Sequence, residues 1–181
     1  MGELATFEYG YTISASDRGE FRLIRITDID KYGNISDKDK KYVDLSDEAD
    51  KKKYLLKEND IIMARIGSVG ETAIFQGKEK SIFASYLIRI NLNQGEILPK
   101  YYWYFTKADD YWKQVEQLTK GTVQPQFNAN SLKEIQISIP SLEKQKEIIK
   151  EREKDLVIIG YQKQSLKLLK EKEWKFLNNL W

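Results

Sequence analysis

The stretch TKGTVQPQFNANSLKEIQISIPSLEKQKEIIK, residues 119–150, contains the change from a globular part to a long helix. Gly121 and Pro125 interrupt its first part, so a helix cannot continue through it. The isoleucines of residues 135–139 alternate with polar residues, and this period of two predicts a strand with one buried face. Pro140 ends that strand. The sequence therefore predicts that a globular part, residues 1–140, ends here.

A long helix, residues 141–181, is predicted to follow. Ser141 stands at the N-cap position, where its hydroxyl can accept a hydrogen bond from the first turn. The helix contains no Pro and a single Gly, Gly160, which costs about 1 kcal/mol relative to Ala and predicts a kink or a close helix approach. Polar Gln145 and Arg152 weaken its apolar seam. We expect the helix to need a partner, and the predicted contact residues are Ile149, Leu156, Ile159, Leu166, Leu169, Phe176 and Leu180.

Composition narrows the possible chemistry. The 181 residues are 41% hydrophobic and 32% charged, with no Cys and no His. A thiol nucleophile, a disulfide, a thiolate metal site and the usual neutral-pH base are therefore excluded. The start of the chain has no basic-then-apolar signal, and no apolar run approaches a membrane span, so we expect a cytoplasmic protein. Residues 1–140 carry a net charge of −1 and residues 141–181 carry +3.

The globular part is predicted to be α+β, with a twisted, mainly antiparallel sheet. Strands are expected near residues 4–11, 21–26, 61–66 and 71–76. Residues 81–92 resemble one continuous strand with Tyr86 on the same face as its isoleucines. An aromatic-rich helix is expected over residues 101–120, with its Trp and Tyr side chains in the core. The charged residues 38–53 are interpreted as a surface loop with short helical pieces.

Two blocks of sequence resemble the specificity subunits of type I restriction-modification systems. The first is the end of a target recognition domain followed by a spacer helix, and its matching residues are Gly121, Thr122, Leu132, Ile137, Ile139, Pro140, Leu142 and Gln145. The second is residues 59–70, NDIIMARIGSVG, which is similar to the mid-domain signature of that family. The two blocks occur in the family's order and together span the chain.

The resemblance implies a non-catalytic DNA-specificity subunit, or half of one, because full-length members resemble two domain-plus-helix units in tandem. Its partners would be double-stranded DNA, the methyltransferase subunit and the restriction subunit. It would hold no cofactor itself, since S-adenosylmethionine is expected on the methyltransferase subunit. A half-length chain could recreate the paired helices of the family by forming a homodimer. Two alternatives remain open, namely a helix-mediated dimeric module that binds protein or RNA, and an autonomous nuclease using aspartates such as Asp28, Asp30, Asp44, Asp47 and Asp50.

Polar and aromatic residues in the predicted loops suit base and phosphate recognition. Arg can bind guanine, Gln and Asn can bind adenine, and Thr can contact thymine or phosphate. We expect Gln124 or Gln126 to contact a base and Lys120 to contact phosphate. No P-loop, dinucleotide fingerprint or methyltransferase motif is found. The predicted DNA-binding residues are Tyr9, Tyr11, Thr12, Ser14, Arg18, Arg25, Thr27, Lys31, Arg65, Ser68, Lys120, Thr122, Gln124 and Gln126.

Overall fold

The structure of the chain is a computed structural model that describes residues 1–120 and 126–178, without the side chains of residues 163, 177 and 178. The strands are β1 (Ala5–Tyr9), β2 (Phe21–Ile24), β3 (Tyr42–Val43), β4 (Ile61–Ala64), β5 (Thr72–Ile74), β6 (Ser81–Phe83) and β7 (Leu87–Leu92). The helices are α1 (Glu48–Tyr54), α2 (Pro99–Phe105), α3 (Asp109–Thr119), α4 (Ala129–Glu134) and α5 (Leu142–Asn178), with a 3-10 turn at Ile26–Asp28. None of the described helices has the length and apolar character needed to cross a bilayer.

Within the described residues, the strands form two sheets. Strands β1, β7, β4 and β5 form one sheet in that order, and all its pairs are antiparallel. Strands β3, β2 and β6 form the other, in which β2 pairs antiparallel with β3 and parallel with β6. The prediction of an α+β fold with a mainly antiparallel sheet is confirmed.

The larger sheet is buried on both faces, which explains the unbroken apolar run of β4. Because successive side chains of a strand point to opposite faces, Ile61 and Met63 join a cluster with Tyr102 and Tyr111 of the helices. The alternate residues of β4 face the smaller sheet, where Ile62 joins a cluster with Ile24 of β2 and Phe83 of β6. The predicted core role of the aromatic helical region is confirmed, since Tyr102 and Tyr111 are both fully buried.

The predicted strand at residues 135–139 is wrong. The segment lies outside every strand of the described structure, because side chains satisfy its backbone groups. The Gln114 side chain both donates to the Gln136 carbonyl (3.0 Å) and accepts from the Gln136 amide (2.7 Å). The Tyr101 hydroxyl donates to the Ser138 carbonyl at 2.9 Å. The hydrogen-bond partners of this segment are side chains of helices α2 and α3.

The single strand predicted over residues 81–92 is also wrong. The chain turns at residues 84–86, where the Leu87 amide donates to the Ala84 carbonyl at 2.8 Å. Strand β6 belongs to the smaller sheet and β7 to the larger one, so this turn connects the two sheets. Tyr86, predicted to share a face with buried isoleucines, is 56% exposed at the turn.

The single helix predicted over residues 101–120 is two helices, α2 and α3, separated at residues 106–108. The Thr106 hydroxyl bonds to the Trp103 carbonyl (2.7 Å) and lies 2.5 Å from the buried Thr72 hydroxyl. A threonine that bonds locally to the backbone competes with helix continuation. The Thr72 contact fixes this break against β5.

Helix α5 starts at Leu142, close to the predicted boundary at residue 140, and the division of the chain into two domains stays a prediction. The predicted N-cap is confirmed, since the Ser141 hydroxyl accepts from the Lys144 amide at 3.3 Å. Gln145 is fully buried. Gln145 therefore attaches the helix to the domain. The sequence had instead placed it in the apolar seam of the helix. Helix α5 continues through Gly160, where an added Cβ would meet nothing described within 4 Å.

Arg89 is a buried charged residue with several hydrogen-bond partners, and we predict that Arg89→Met destabilises the fold. Its guanidinium donates to Glu8 (2.9 Å) and Asp60 (3.2 Å), and also to the carbonyls of Leu55 (2.9 Å) and Lys53 (2.6 Å). Removing one partner of a buried charge network costs about 3–5 kcal/mol. Urea unfolding would measure this loss.

The matched control for that experiment is Lys113→Met. Lys113 and Asp110 lie 3.6 Å apart with side chains 71% and 83% exposed. Exposed ion pairs contribute little, so unfolding should change by less than about 0.5 kcal/mol. Equal losses for both variants would contradict the structural role given to Arg89.

Candidate nucleic-acid interface

The connection at residues 84–86 lies where the ends of several strands meet. Its first two amides donate to the carbonyls of Ile24 and Tyr11, each at 2.9 Å, and its last carbonyl accepts from the Arg65 amide at 3.0 Å. Ile24 ends β2, Tyr11 follows β1 and Arg65 follows β4. We call the surface formed by residues 9–12, 65–68, 84–86 and 126–129 the loop edge. Loops held by a rigid scaffold are where binding residues concentrate.

Tyr9 and Arg65 form a stacked pair on the loop edge. The guanidinium carbon of Arg65 lies 5.0 Å from the centre of the Tyr9 ring. The Nε of Arg65 is buried and has no hydrogen-bond partner among the described residues. The Tyr9 hydroxyl accepts from the Ala129 amide (3.2 Å), and the Arg65 carbonyl accepts from the Phe127 amide (2.9 Å). These bonds attach residues 126–129 to the two strand ends.

The turn between β4 and β5 is held against helix α3. Gly67 and Gly70 have φ values of 67° and 85°, in the left-handed region that glycine adopts without strain. The Tyr111 hydroxyl donates to the Gly70 carbonyl at 2.9 Å. Ser68 is exposed at the tip of this turn. The turn therefore places Arg65 and Ser68 on a support that is anchored at both ends.

Two predicted DNA-binding residues make contacts within the domain. The Arg25 guanidinium contacts Asp28 at 2.8 Å and Asp39 at 3.3 Å. The hydrogen bond that the Arg25 guanidinium donates to Asp28 is the main cause that raises the pKa of Arg25. The Tyr11 ring lies 4.9 Å from that of Tyr54, and a hydrogen bond to Asp50 raises the pKa of Tyr11. Both residues therefore have partners within the protein, and a DNA contact by either stays a prediction.

The other predicted DNA-binding residues fall into three groups. Thr12, Ser14 and Arg18 are exposed on the loop between β1 and β2. Thr27 and Lys31 are exposed on the loop after β2, and the Lys31 ammonium lies 5.2 Å from the centre of the Tyr32 ring. Exposed Lys120 is the C-cap of α3, and exposed Gln126 adjoins Phe127 on the loop edge. The predictions for Thr122 and Gln124 lie outside the described residues.

Tyr86 and Asn128 are loop-edge residues that sequence reasoning missed. Tyr86 was placed on the isoleucine face of one strand because residues 81–92 alternate well enough for one strand. Asn128 caps α4 by accepting from the amides of Asn130 (2.9 Å) and Ser131 (3.1 Å). An Asn before a short helix is a cap signal that the sequence contained.

The aspartates considered for a nuclease each have a structural contact. Asp28 pairs with Arg25, and Asp50 bonds to Tyr11. Asp47 caps α1, Asp44 accepts from the Glu20 amide at 2.8 Å, and Asp30 accepts from amides of its own turn. Among the described residues, no group of three or more acidic side chains is arranged to hold a metal ion.

Helix α5 is attached to the domain by its first turns, and its later turns carry exposed apolar side chains. Gln145 is fully buried, and Lys100 of α2 contacts Glu153 at 2.6 Å. Beyond that point large apolar side chains are exposed, including predicted contact residues Leu156 (51%) and Phe176 (65%). Ile159, Leu166 and Leu169 are exposed as well, Ile149 is half-buried, and Leu180 lies outside the described residues.

Together these features define an α+β fold whose polar and aromatic loop residues lie on strand connections and which carries a long helix with exposed apolar side chains. The pattern that describes the type I restriction modification DNA specificity domain matches residues 1–151. The chain belongs to this family.

Related proteins agree with this assignment. A Haemophilus influenzae protein named as a type I restriction enzyme specificity subunit is 32% identical over 121 residues, which is 66% of this chain and 30% of that protein. Among solved structures, one chain from work on complex assembly and conformational transition of the type I R-M system has a TM-score of 0.69 at 12% identity, covering 91% of this chain and 39% of that one.

Two further solved structures share the fold. The HsdS subunit from Thermoanaerobacter tengcongensis has a TM-score of 0.64 at 17% identity, covering 96% of this chain and 47% of that one. The type I S subunit from M. genitalium has a TM-score of 0.57 at 17% identity, covering 82% and 36%. The chain thus spans less than half the length of these relatives.

Proposed function

We propose that this chain reads DNA sequence as a specificity subunit, or half of one, in a type I restriction-modification complex. The observation that supports this most directly is the loop edge, where the stacked Tyr9–Arg65 pair lies beside residues 126–129 on fixed strand ends. An arginine whose guanidinium is oriented by stacking suits bidentate binding to guanine. The family match supplies the ligand class, since the matching domain is a DNA specificity domain.

In this proposal the chain performs no chemistry. S-adenosylmethionine and methyl transfer belong to a methyltransferase subunit, and DNA cleavage belongs to a restriction subunit. We propose that the chain binds DNA and both subunits, and that it forms a homodimer through α5. The complex works where the DNA is, in the cytoplasm.

The exposed side chains of α5 support two partners. On an ideal helix, the predicted dimer stripe containing Ile159 and Leu166 lies opposite Val157, Tyr161 and Leu168. Those three side chains are 57%, 69% and 52% exposed. Exposed apolar side chains on a helix are normally covered by a partner, and α5 exposes them on two opposite faces. A second copy that covers one face would leave the other for the methyltransferase subunit.

The proposed function is tested by selection from a random duplex library, using the full chain alone and with a co-expressed methyltransferase subunit. We expect enrichment of one defined sequence in the DNA-bound fraction. Absence of enrichment under both conditions would contradict the proposal. Methylation or cleavage by the purified chain alone, with S-adenosylmethionine and Mg²⁺ supplied, would contradict the non-catalytic assignment.

Two substitutions, one on the loop edge and one at the C-cap of α3, should have different effects on that binding. Gln126→Ala should weaken binding to the selected sequence by about 1–3 kcal/mol and leave scrambled DNA unaffected, since an amide bonds to a specific base. Lys120→Ala should weaken binding to every sequence and reduce the salt-dependence slope by about one, as loss of a phosphate contact does. Fluorescence anisotropy over a salt series measures both. A uniform loss for Gln126→Ala would move the base contact elsewhere, for example to Gln124.

A further inference from the structure

We propose that Tyr86 is a specificity-determining residue that contacts a DNA base from the centre of the loop edge. This inference rests on the proposed function, because it assigns one base contact within the same DNA-binding surface. It concerns a residue whose sequence pattern predicts burial and whose position in the fold exposes it.

The exposed ring of Tyr86 contributes little to the packing of the core. Its side chain is 56% exposed, whereas Phe83 and Leu87, on either side of the turn, are fully buried. Leaving a large aromatic ring in water forgoes the stabilisation that burial provides. A ring exposed in this way at the meeting point of several strand ends is suited to contact a ligand.

The backbone around Tyr86 is fixed on both sides. The Tyr86 carbonyl accepts from the Arg65 amide at 3.0 Å, and the Leu87 carbonyl accepts from the Gly10 amide at 3.0 Å. The Ser85 amide donates to the Tyr11 carbonyl at 2.9 Å. An aromatic side chain on a fixed backbone loses little conformational entropy on binding, because few torsions remain to be ordered.

Its neighbours indicate which part of DNA the ring would meet. The backbone bond to Arg65 places Tyr86 beside the residue whose guanidinium stacks on Tyr9. Arg65 supplies hydrogen-bond donors for a guanine edge, and Tyr86 supplies an apolar ring for the methyl group of an adjoining thymine. A contact to a DNA phosphate would use only the Tyr86 hydroxyl, whereas a contact to a base would use the ring. The effect of losing the hydroxyl alone, compared with losing the whole ring, therefore distinguishes a base contact from a contact to the DNA backbone.

The test compares Tyr86→Ala and Tyr86→Phe in the full chain, alone and with the co-expressed methyltransferase subunit, by duplex-library selection and anisotropy. For Tyr86→Ala we expect the preference for the selected sequence over scrambled DNA to fall about 5- to 150-fold, the loss expected for one base contact. The enrichment should disappear at one or two adjacent positions and persist at the others. Tyr86→Phe should keep the wild-type preference.

The matched control is Tyr32→Ala. Tyr32 is 59% exposed, close to the value for Tyr86, but it lines a groove with Trp112 and Ile159 beside α5. We expect it to leave the selected sequence unchanged. The inference is overturned if Tyr86→Ala selects the wild-type sequence with the same preference, or if Ala and Phe variants weaken all sequences equally. A wild-type chain that selects no sequence overturns the proposed function itself.

Discussion

The double variant Ile159→Asp, Leu166→Asp is expected to be a monomer at concentrations where the wild-type chain is a dimer. The two side chains are 42% and 54% exposed in the single chain and lie within about 20° of each other around an ideal helix. Full burial of an Ile or Leu contributes about 1.5–3 kcal/mol. A two-fold dimer loses each contact twice and must bury the new charges, so its dissociation constant should rise more than about 100-fold.

Light scattering and sedimentation over a concentration series measure this change. The matched control is Val157→Asp, Leu168→Asp, since these residues are 57% and 52% exposed on the opposite face of α5. The control should stay dimeric and lose binding to a co-expressed methyltransferase subunit. A wild-type chain that is monomeric at tens of micromolar would show that α5 serves another partner.

A homodimer has a consequence for the DNA target. Helix α5 spans 37 residues, about 56 Å at 1.5 Å per residue. An antiparallel pair of such helices would place two identical domains at opposite ends, related by a two-fold axis. Identical readers in that arrangement require two inverted half-sites separated by an unread gap. Library selection with the wild-type dimer should therefore return a gapped palindrome.

Gln145→Leu is expected to destabilise the chain and to relax the spacing between half-sites. The Gln145 carbonyl oxygen accepts from the Leu98 amide at 2.9 Å. Its amide nitrogen donates to the carbonyls of Glu96 (2.8 Å) and Pro140 (2.9 Å). Leucine has a similar size but would leave these three partly buried backbone groups without their side-chain partner, at about 1 kcal/mol or more each.

The stability effect should lower the melting temperature by roughly 6 °C or more, since about 1 kcal/mol corresponds to 2–4 °C for a chain of this size. The spacing effect follows because Gln145 joins the first turns of α5 to the segment before α2, and so sets the direction in which the helix leaves the domain. Half-site affinity should persist, while selection from a library of gap lengths should return a broader distribution. Neighbouring exposed Lys146→Leu is the control and should change neither quantity. An unchanged gap distribution for Gln145→Leu would remove this role.

Local signals in the sequence predicted much of the fold correctly. The N-cap at Ser141, the buried run at residues 61–64 and the aromatic core around Tyr102 depend on short-range patterns that tertiary contacts reinforce. The same is true of the antiparallel sheet and the long helix. These are strong local preferences that agree with the global fold.

The errors occurred where distant contacts override a local pattern. Residues 135–139 alternate like a strand, but Gln114 and Tyr101 satisfy their backbone. Residues 81–92 alternate as well, but the chain leaves one sheet and enters the other at residues 84–86. Side-chain periodicity cannot distinguish these outcomes, because it does not specify which groups bond to the backbone.

The candidate site divides in the same way. The sequence by itself determined the types of residue available for recognition, the absence of Cys and His, and the long helix with its apolar seam. Only the tertiary structure decided that Arg65 stacks on Tyr9, that Arg25 pairs with two aspartates, and that Tyr86 lies exposed between strand ends. The physical reason is that exposure and pairing depend on groups far apart in the chain, which meet only when the two sheets and their connections pack together.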